Sequence, residues 1–284
     1  MLDYPYVSVA EFRRHPTFLD SNNLVTAGTQ AQQDAALLNA LLTASQWADD
    51  QINMPLGAHI RTENTRLAAD RSGRLRYHPE HAPVIAVTSM AVGGTPDELD
   101  AVADPQVWTE QDGRIIVAFS PSGGPGLGTL QFGSPPPGTE QLVRWTYIAG
   151  FPHTQVATLA AAGATSLTVR DTTGISAGTV LRLWTPGLEE AVTITAVTGS
   201  VLTLAGALAN GHPVGASCSA LPTTARQAVI CYATAYLQRP ASAAEQTSQG
   251  PAMSSTANDR VRTSGGTHLI SEASRLLQTF ERVR

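Results

Sequence analysis

A long amphipathic helix, predicted from Thr29 to Ile52, constrains the fold of this chain more than any other feature. Small and apolar residues recur there every three or four positions, which places them on one stripe of an α-helix: Leu38, Leu41, Leu42, Ser45, Ala48 and Ile52. Polar side chains such as Gln33 fall off this stripe and are expected to face water. Pro55 and Gly57 end the helix. A stripe of this length needs helical partners, so other parts of the chain must supply them.

Three further helices are predicted as those partners. Ser8 and Glu11 have the spacing of a capping box, which starts a short helix from Val9 to about His15. A later helix has Thr223 or Thr224 as its cap and a stripe that comprises Ala225, Ala228, Val229, Tyr232 and Tyr236. The last helix carries a narrow apolar seam suited to packing on another helix: Leu269, Ala273, Leu276, Phe280 and Val283.

The segment 241–267, which precedes that seam, is rich in Ser, Thr, Gly, Gln and Ala. It offers almost nothing to bury, and such segments do not recover the entropy that ordering costs. We therefore expect a mobile or extended arm that becomes ordered when a partner binds it.

The residues between the helices carry strand signals. Asp112-Gly113 is a strong hairpin signal because both residues tolerate the backbone of a tight turn. Val143, Trp145 and Tyr147 alternate with polar residues and should share one face of a strand. The expected strands cover 83–92, 107–110, 114–119, 129–132 and 142–148.

The segment 54–79 is expected to be a loop with an excess of basic residues: Arg61, Arg66, Arg71, Arg74 and Arg76. One interpretation is an inter-subunit or channel loop that contacts a neighbouring copy or DNA. The other is a solvated loop with scattered charges, and the charge pattern favours it.

Residues 153–221 have a different character, with short alternating strands separated by Gly-containing turns. The apolar pairs are Leu167/Val169, Leu181/Leu183, Val192/Ile194 and Leu202/Leu204. Short strands at this spacing predict a small β-barrel or sandwich. The predicted fold is therefore α+β: a helical bundle from the N- and C-terminal helices and a small β region, in 1–152 and 222–284, with an inserted all-β module in 153–221.

Motifs for chemistry are missing from the sequence. The Gly-rich loop 123–128 lacks the Lys of a phosphate-binding loop. His78 and His81 are interpreted as two loop residues in preference to metal ligands. Glu189 and Glu190 are neighbours on a strand, so their side chains face opposite ways and are poorly placed as a catalytic pair. The prediction is no enzyme, with no catalytic residue, no metal site and no cofactor.

Composition sets the remaining limits. The chain has 284 residues and a net charge of −5, which gives no global basic field for nucleic acid. No apolar run is long enough to span a bilayer, and the first residues lack a signal peptide. Two isolated cysteines do not form a disulfide framework, which suits a reducing cytoplasm. All 18 basic residues are Arg, as expected from GC-rich codons or from selection for bidentate pairing at interfaces.

Several motifs together carry a family resemblance. They are 6–12 with 41–45 of the long helix, the Pro-led strand 81–89, the split junction 147–152 and 221–228, and the closing stretch 273–284. This combination resembles the head-to-tail connector (adaptor) proteins of tailed bacteriophages. The match covers the helices and the first sheet, so 153–221 is an insertion that interrupts the Gly-Phe-Pro to Leu-Pro junction.

The resemblance implies a structural protein of the virion neck, assembled in the host cytoplasm without a membrane. It implies a twelve-fold ring of identical copies, bound to the portal protein above and to a stopper below. DNA would pass through the central channel without sequence-specific binding. The C-terminal helix and tail would engage the portal through Leu269, Ala273, Leu276, Phe280, Arg282, Val283 and Arg284.

Two other functions compete with this one. A tail or baseplate protein could use the β module to bind a host glycan, although Trp184 is its only candidate aromatic platform. A hydrolase would need a nucleophile–base pair or a ligand cluster, and the sequence does not contain a recognisable one.

Overall fold

The fold is known from a computed structural model, which describes residues 3–68, 75–102, 106–109, 115–118, 140–238 and 256–281. The chain divides into two compact units. The first comprises Met1–Gly57 and Pro152–Arg282, and the second comprises Ala58–Phe151 and Val283–Arg284.

The first two helices begin as the sequence predicts. Helix α1 spans Val9–Arg14, and Ser8 and Glu11 form the expected capping box. Helix α2 spans Gln30–Ile52, with Thr29 as its N-cap. Asn53 ends α2 in the left-handed conformation, with a φ of 56°. The predicted bounds of α2 are met to within one residue, but Asn53 ends the helix before Pro55 and Gly57, the residues expected to end it, are reached. Helix starts are predictable because caps depend on residues only a few positions apart.

The buried stripe of α2 is rotated from the predicted one. Leu41, Ser45, Ala48 and Ile52 are buried as expected, but Leu38 is 38% exposed and Leu37 takes its place in the core. Gln33, expected to face water, is also buried. Its side-chain amide accepts from the N–H of Val25 at 2.8 Å and donates to the carbonyl of Val25 at 2.7 Å. These bonds satisfy a polar group that would otherwise be costly to bury.

The second unit contains a four-stranded antiparallel sheet. Its strands are β1 (His59–Ala68), β3 (Val84–Gly93), β4 (Leu99–Ala101) and β7 (Glu140–Ala149). The order across the sheet is β1-β7-β3-β4. Val143, Trp145 and Tyr147 of β7 are fully buried on one face, which confirms the predicted alternation.

A three-stranded sheet completes the described part of that unit, with the order β2-β6-β5. Its strands are β2 (Leu75–Tyr77), β5 (Gln106–Thr109) and β6 (Ile115–Ala118). The antiparallel pairing of β5 with β6 confirms the expected pairing of these two strands, whereas the predicted turn at Asp112-Gly113 lies outside the described residues. The expected strand at 129–132 lies outside the described residues.

The expectation of a loop over 54–79 is wrong, because β1 and β2 lie in this segment. Each residue of β1 from His59 to Ala68 has a partner in β7. The charged residues that suggested a loop are compatible with β1 because it is an edge strand of its sheet, where charged side chains are common.

A six-stranded antiparallel sheet belongs to the first unit. Its strands are β8 (His153–Gln155), β9 (Ser166–Thr168), β10 (Val180–Trp184), β11 (Glu190–Thr198), β12 (Val201–Leu204) and β13 (Ser217–Ser219). The order is β8-β13-β10-β11-β12-β9. A bridge between Val156 and Val169 joins the ends of β8 and β9, so the sheet curls until its two edges meet. We call this sheet the barrel.

The inside of the barrel is apolar. All four predicted apolar pairs are buried there: Leu167/Val169, Leu181/Leu183, Val192/Ile194 and Leu202/Leu204. The barrel lies in the same compact unit as the helices that flank it in sequence. The proposed division into a core of 1–152 and 222–284 and an inserted module of 153–221 stays a prediction.

Two helices close the first unit. Helix α3 spans Thr223–Leu237, and its N-cap is Pro222, without a side-chain capping bond. The expected Thr cap is therefore wrong, since Thr223 already lies inside the helix. Helix α4 spans Thr256–Glu281.

The expected arm, 241–267, is only partly described. Residues 241–255 lie outside the described residues, whereas 256–267 are helical and not extended. The scarcity of apolar residues limits how much of this segment can be buried. A helix satisfies its own backbone hydrogen bonds, however, so a polar segment can still be helical.

The helices pack on one another within this unit. Helix α2 contacts α1 and α3, and α4 contacts both α2 and α3. Trp47 of α2 stacks on Tyr232 of α3 with ring centroids 4.1 Å apart. Helices from both ends of the sequence therefore share one unit with the barrel, and the fold is α+β.

Candidate assembly surfaces

The apolar seam of α4 is partly used inside the first unit. Ala273 is fully buried, whereas Leu269, Leu276 and Phe280 are partly exposed. Leu277, which the predicted seam left out, is fully buried. It lies four positions after Ala273, so helical spacing alone could have identified it.

The predicted portal-binding set is therefore divided. Leu269, Leu276 and Phe280 retain surface that a partner could contact, while Ala273 serves the packing of α4 on the other helices. Arg282, Val283 and Arg284 lie outside the described residues. Their role in binding a portal stays a prediction.

The five arginines of the second predicted surface do not share a loop. Arg61 and Arg66 lie in β1 and Arg76 lies in β2, while Arg71 and Arg74 are outside the described residues. The guanidinium of Arg61 lies 2.9 Å from a carboxylate oxygen of Glu80 and 3.6 Å from one of Glu63. The charge of Arg61 is thus balanced within its own unit.

Glu63, a buried residue of β1, is the centre of a polar cluster. The buried hydroxyl of Tyr147 donates to its carboxylate, and the backbone N–H of His81 donates to that hydroxyl at 3.2 Å. Burial, followed by the bond to Glu63, raises the pKa of Tyr147 far above its ordinary value. The cluster therefore supplies hydrogen bonds to a carboxylate that is buried in the four-stranded sheet.

His81 pairs with His59 of β1. The Nε2 of His59 lies 2.6 Å from the Nδ1 of His81, so one ring donates a hydrogen bond to the other. In the described part of the chain, no three His, Cys, Asp or Glu side chains are grouped in a way that could hold a metal ion.

The first unit holds a buried ion pair that sequence analysis missed. Arg226 of α3, 2% exposed, donates to Glu11 of α1 through Nε at 3.1 Å and also through Nη2. Its Nη1 donates to the hydroxyl of Ser217 in β13 at 3.2 Å. Burial raises the pKa of Glu11 and lowers that of Arg226, and attraction between the two charges opposes both shifts. One guanidinium therefore joins two helices to the barrel.

Trp184 of β10 belongs to the same cluster. The guanidinium carbons of Arg182 and Arg226 lie 4.5 and 4.3 Å from the centre of its ring. These distances are within the range of cation–π attraction. The indole ring is thus engaged inside the protein.

The N-terminal segment is held by a second buried cluster. Tyr6 donates through its hydroxyl to Asp49 of α2 at 2.7 Å, and its backbone N–H donates to Ser45 at 3.0 Å. His153 of β8 donates from Nε2 to the carbonyl of Pro5 at 3.0 Å. The segment is therefore bound to both a helix and the barrel.

Burial shifts the pKa values of the acidic and basic groups of this cluster in opposite directions, and it raises the pKa of Tyr6 well above its ordinary value. It raises the pKa of Asp49 to about 6. It lowers the pKa of His153 to about 3, and the nearby charge of Arg226 adds to that effect. Both shifts favour the neutral form, which costs less to bury.

Glu190 and Glu189 have different surroundings, and β11 begins at Glu190, so Glu189 precedes the strand. Glu190 accepts hydrogen bonds from the backbone N–H groups of Ala209 and Asn210 at 2.8 and 2.9 Å. It also accepts from Nε2 of buried His212 at 2.8 Å, and Thr185 contacts the other ring nitrogen at 2.7 Å. Burial opposes ionisation, but these bonds together lower the pKa of Glu190. The cluster holds the barrel loop that contains Ala209 and Asn210.

Both cysteines are buried in the first unit, and burial raises the pKa of each thiol. In the described residues, no helix combines the length and apolar character that crossing a membrane requires.

No protein-family model matches the chain, and no curated protein matches it significantly. Among solved structures, the chain is similar to one described as the neck of an empty gene transfer agent (GTA) particle computed with C6 symmetry. The identity is 16% and the TM-score 0.33, over 96% of this chain and 94% of the other.

Proposed function

We propose that this protein is a structural connector in the neck of a phage-like particle. Identical copies form a ring, twelve in number by family resemblance, that joins the portal vertex of the head to the tail. DNA passes through the ring without sequence-specific binding. The protein is not an enzyme and needs no cofactor.

The observation that carries this proposal is the arrangement of the first unit. The connector resemblance was found in both ends of the sequence, and the helices of both ends pack in one unit. The buried Glu11–Arg226 pair joins the two ends directly. We propose that these packed helices are the connector's helical bundle and that the barrel is an insertion carried on it.

The partly exposed residues of α4 are the proposed portal contact. Leu269, Leu276 and Phe280 keep apolar surface after α4 has packed in its own unit. Three partly exposed side chains form only a small contact, so one copy binds weakly. Repetition of the contact around a ring strengthens the binding. The stopper would bind the opposite face of the ring.

The alternative glycan-binding function has lost its main support. Its platform would be Trp184, whose ring is already contacted by Arg182 and Arg226. A sugar would have to displace these guanidinium groups before it could stack on the indole.

Light scattering after size exclusion tests the proposal. The full chain is measured alone and then mixed with the portal protein encoded in the same genome. A ring-sized species in either sample supports the connector function. A monomer in both samples overturns it.

Point variants then test the portal contact without removing α4. Leu269→Ser with Phe280→Ser should weaken portal binding while far-UV circular dichroism stays unchanged. Gln278→Ser, on an exposed position of the same helix, is the matched control. Retained portal binding by the double variant would show that α4 is not the contact.

A further inference from the structure

The four-stranded sheet of the second unit has one buried face and one largely open face. Along β7, Arg144 and Thr146 alternate with fully buried residues and therefore point to the open face. The register places Asn64 of β1 opposite Arg144, and Thr62 opposite Thr146. Arg66, two residues after Asn64, points to the same face. All five side chains are exposed or half-buried, and we call them the polar strip.

Hydrogen bonds within the polar strip use its acceptors and leave its donors. The Nε of Arg144 donates to the side-chain oxygen of Asn64 at 3.0 Å. Within the described part of the chain, the N–H₂ of Asn64 and both Nη groups of Arg144 have no acceptor. The hydroxyls of Thr62 and Thr146 lie 3.1 Å apart, so one donates to the other and the second keeps its own O–H. The strip therefore presents mainly donors to its surroundings.

The polar strip is also basic, in a chain whose net charge is −5. Among the described residues, neither Arg66 nor Arg144 has a carboxylate partner, unlike Arg61 on the other face of β1. Arg66 and Arg144 are diagonal neighbours on adjacent strands, about 7–8 Å apart. Within β1 and β7, the carboxylate on this face is that of Glu140, at the first position of β7. Two unpaired guanidinium groups thus lie close together on one surface.

We propose that the polar strip contacts the phosphate backbone of double-stranded DNA. This proposal rests on the proposed function, in which DNA passes through a ring, and it names the surface that faces the DNA. A phosphate group is a negatively charged acceptor, so it complements both the unpaired guanidinium groups and the outward donors. Arg, Thr and Asn side chains all contact phosphates in protein–DNA complexes, and such contacts carry no sequence information.

An acidic protein surface is the other partner that these charges could attract. Protein interfaces are built around an apolar core, and the polar strip consists of guanidinium, amide and hydroxyl groups. The apolar pair Ile60 and Ile148 lies beyond one end of the strip and is only a small patch. Protein–DNA interfaces are more polar and more positively charged than protein–protein interfaces. The chemistry of the strip therefore favours DNA.

Fluorescence anisotropy of a labelled DNA duplex, titrated with the full chain over a series of salt concentrations, tests the contact. The wild type should bind at low salt and more weakly as salt rises. Arg66→Gln/Arg144→Gln should lower the affinity about tenfold at moderate salt and make the slope of log affinity against log salt less steep by about 1.8, because each phosphate contact contributes about 0.9. A second duplex of different sequence should bind the wild type equally well.

A matched double variant controls for the loss of two charges. Arg170→Gln/Arg275→Gln makes the same chemical change at two exposed positions of the first unit. It should leave both the affinity and the salt slope unchanged. Far-UV circular dichroism of both double variants should match the wild type, since all four side chains are exposed.

The outcomes separate this contact from the proposed function. A wild type that does not bind the duplex, or an Arg66→Gln/Arg144→Gln variant that binds as well as the wild type, overturns the contact. A variant that binds DNA normally but no longer assembles in light scattering shows a protein partner instead, which also overturns it. A wild type that assembles without binding DNA overturns the contact alone. A wild type that binds DNA through the strip but stays monomeric with and without portal keeps the contact and overturns the ring.

Discussion

Tyr6 and Asp49 form a buried hydrogen bond of 2.7 Å between residues 43 positions apart. The Asp49 carboxylate also accepts from the N–H of Leu56 at 2.9 Å, and the Tyr6 hydroxyl accepts from the N–H of Gly57 at the same distance. The N-terminal segment thus closes over the end of α2, and two loop N–H groups depend on this pair.

Tyr6→Phe removes the hydroxyl from this cluster. It removes the hydrogen bond from the N–H of Gly57 and the donor to Asp49, so unfolding free energy should fall by about 1–3 kcal/mol. Urea denaturation followed by circular dichroism measures this. Tyr236→Phe, on a side chain that is 40% exposed, is the control and should have almost no effect. Equal midpoints for both variants would contradict the role of the Tyr6 hydroxyl.

Asp49→Asn tests the pH dependence of the same cluster. Burial raises the pKa of Asp49 from 3.8 to about 6, so the folded state binds more protons than the unfolded state in this range. Stability contributed by the neutral carboxyl is complete below pH 3.8 and is lost as pH rises to about 6. The loss is at most about 3 kcal/mol. Subtracting the unfolding free energies of Asp49→Asn from those of the wild type across this range should give a falling curve. A flat difference would contradict the raised pKa.

His153 should give the opposite slope. Its pKa falls from 6.5 to about 3 on folding, so the unfolded state binds the extra proton. Stability is complete above pH 6.5 and is lost as pH falls towards 3, by several kcal/mol. His153→Gln keeps an N–H donor for the carbonyl of Pro5 and should flatten this acid limb in urea titrations. His268→Gln changes an exposed histidine and should leave the limb unchanged.

Arg226→Gln should be the most destabilising of these variants. It leaves the Glu11 carboxylate buried without its charge partner, which costs about 3–5 kcal/mol. The double variant Glu11→Gln/Arg226→Gln should recover part of this loss, because no charge is then buried and Gln can still complete the capping box. Urea denaturation of both single variants and the double variant measures the coupling.

Arg275→Gln is the control for this cycle. Arg275 pairs with Glu272 on the exposed surface of α4, where ion pairs contribute little. Additive effects of Glu11→Gln and Arg226→Gln would contradict a direct coupling between the two charges.

Structural features with a local signal are predictable from the sequence. The Ser8–Glu11 capping box and the alternation of Val143, Trp145 and Tyr147 depend on residues a few positions apart, and both were correct. Their physical basis is fixed by the geometry of a helix end and of a strand.

The polar clusters could not be predicted in this way. Arg226 has the sequence context of a surface residue on an amphipathic helix, and its partner Glu11 lies 215 positions away. Asp49 is also buried, and one of its hydrogen-bond donors, Tyr6, lies 43 positions away. Burial of a charged or polar group depends on such distant partners, and the local sequence pattern does not show which residues pair.

Two adjacent carboxylates provide the sharpest comparison. Glu190 accepts bonds from Ala209, Asn210 and His212, whereas Glu189 is exposed and accepts from backbone N–H groups of its own turn, those of Gly187 and of Glu189 itself. In Glu190→Gln, an amide N–H₂ group replaces one carboxylate oxygen. Because it is a donor and faces other N–H donors, it cannot accept their hydrogen bonds. Unfolding free energy should fall by about 1–3 kcal/mol.

Glu189→Gln is the same chemical change one residue earlier, and it should alter the unfolding free energy by less than about 0.5 kcal/mol. Hydrogen exchange at the amides of Ala209 and Asn210 adds a local measurement. Their protection should decrease in Glu190→Gln and persist in Glu189→Gln, because Glu190, and not Glu189, accepts hydrogen bonds from these two amides. Equal protection in the two variants would show that the loop is fixed by its backbone bonds alone.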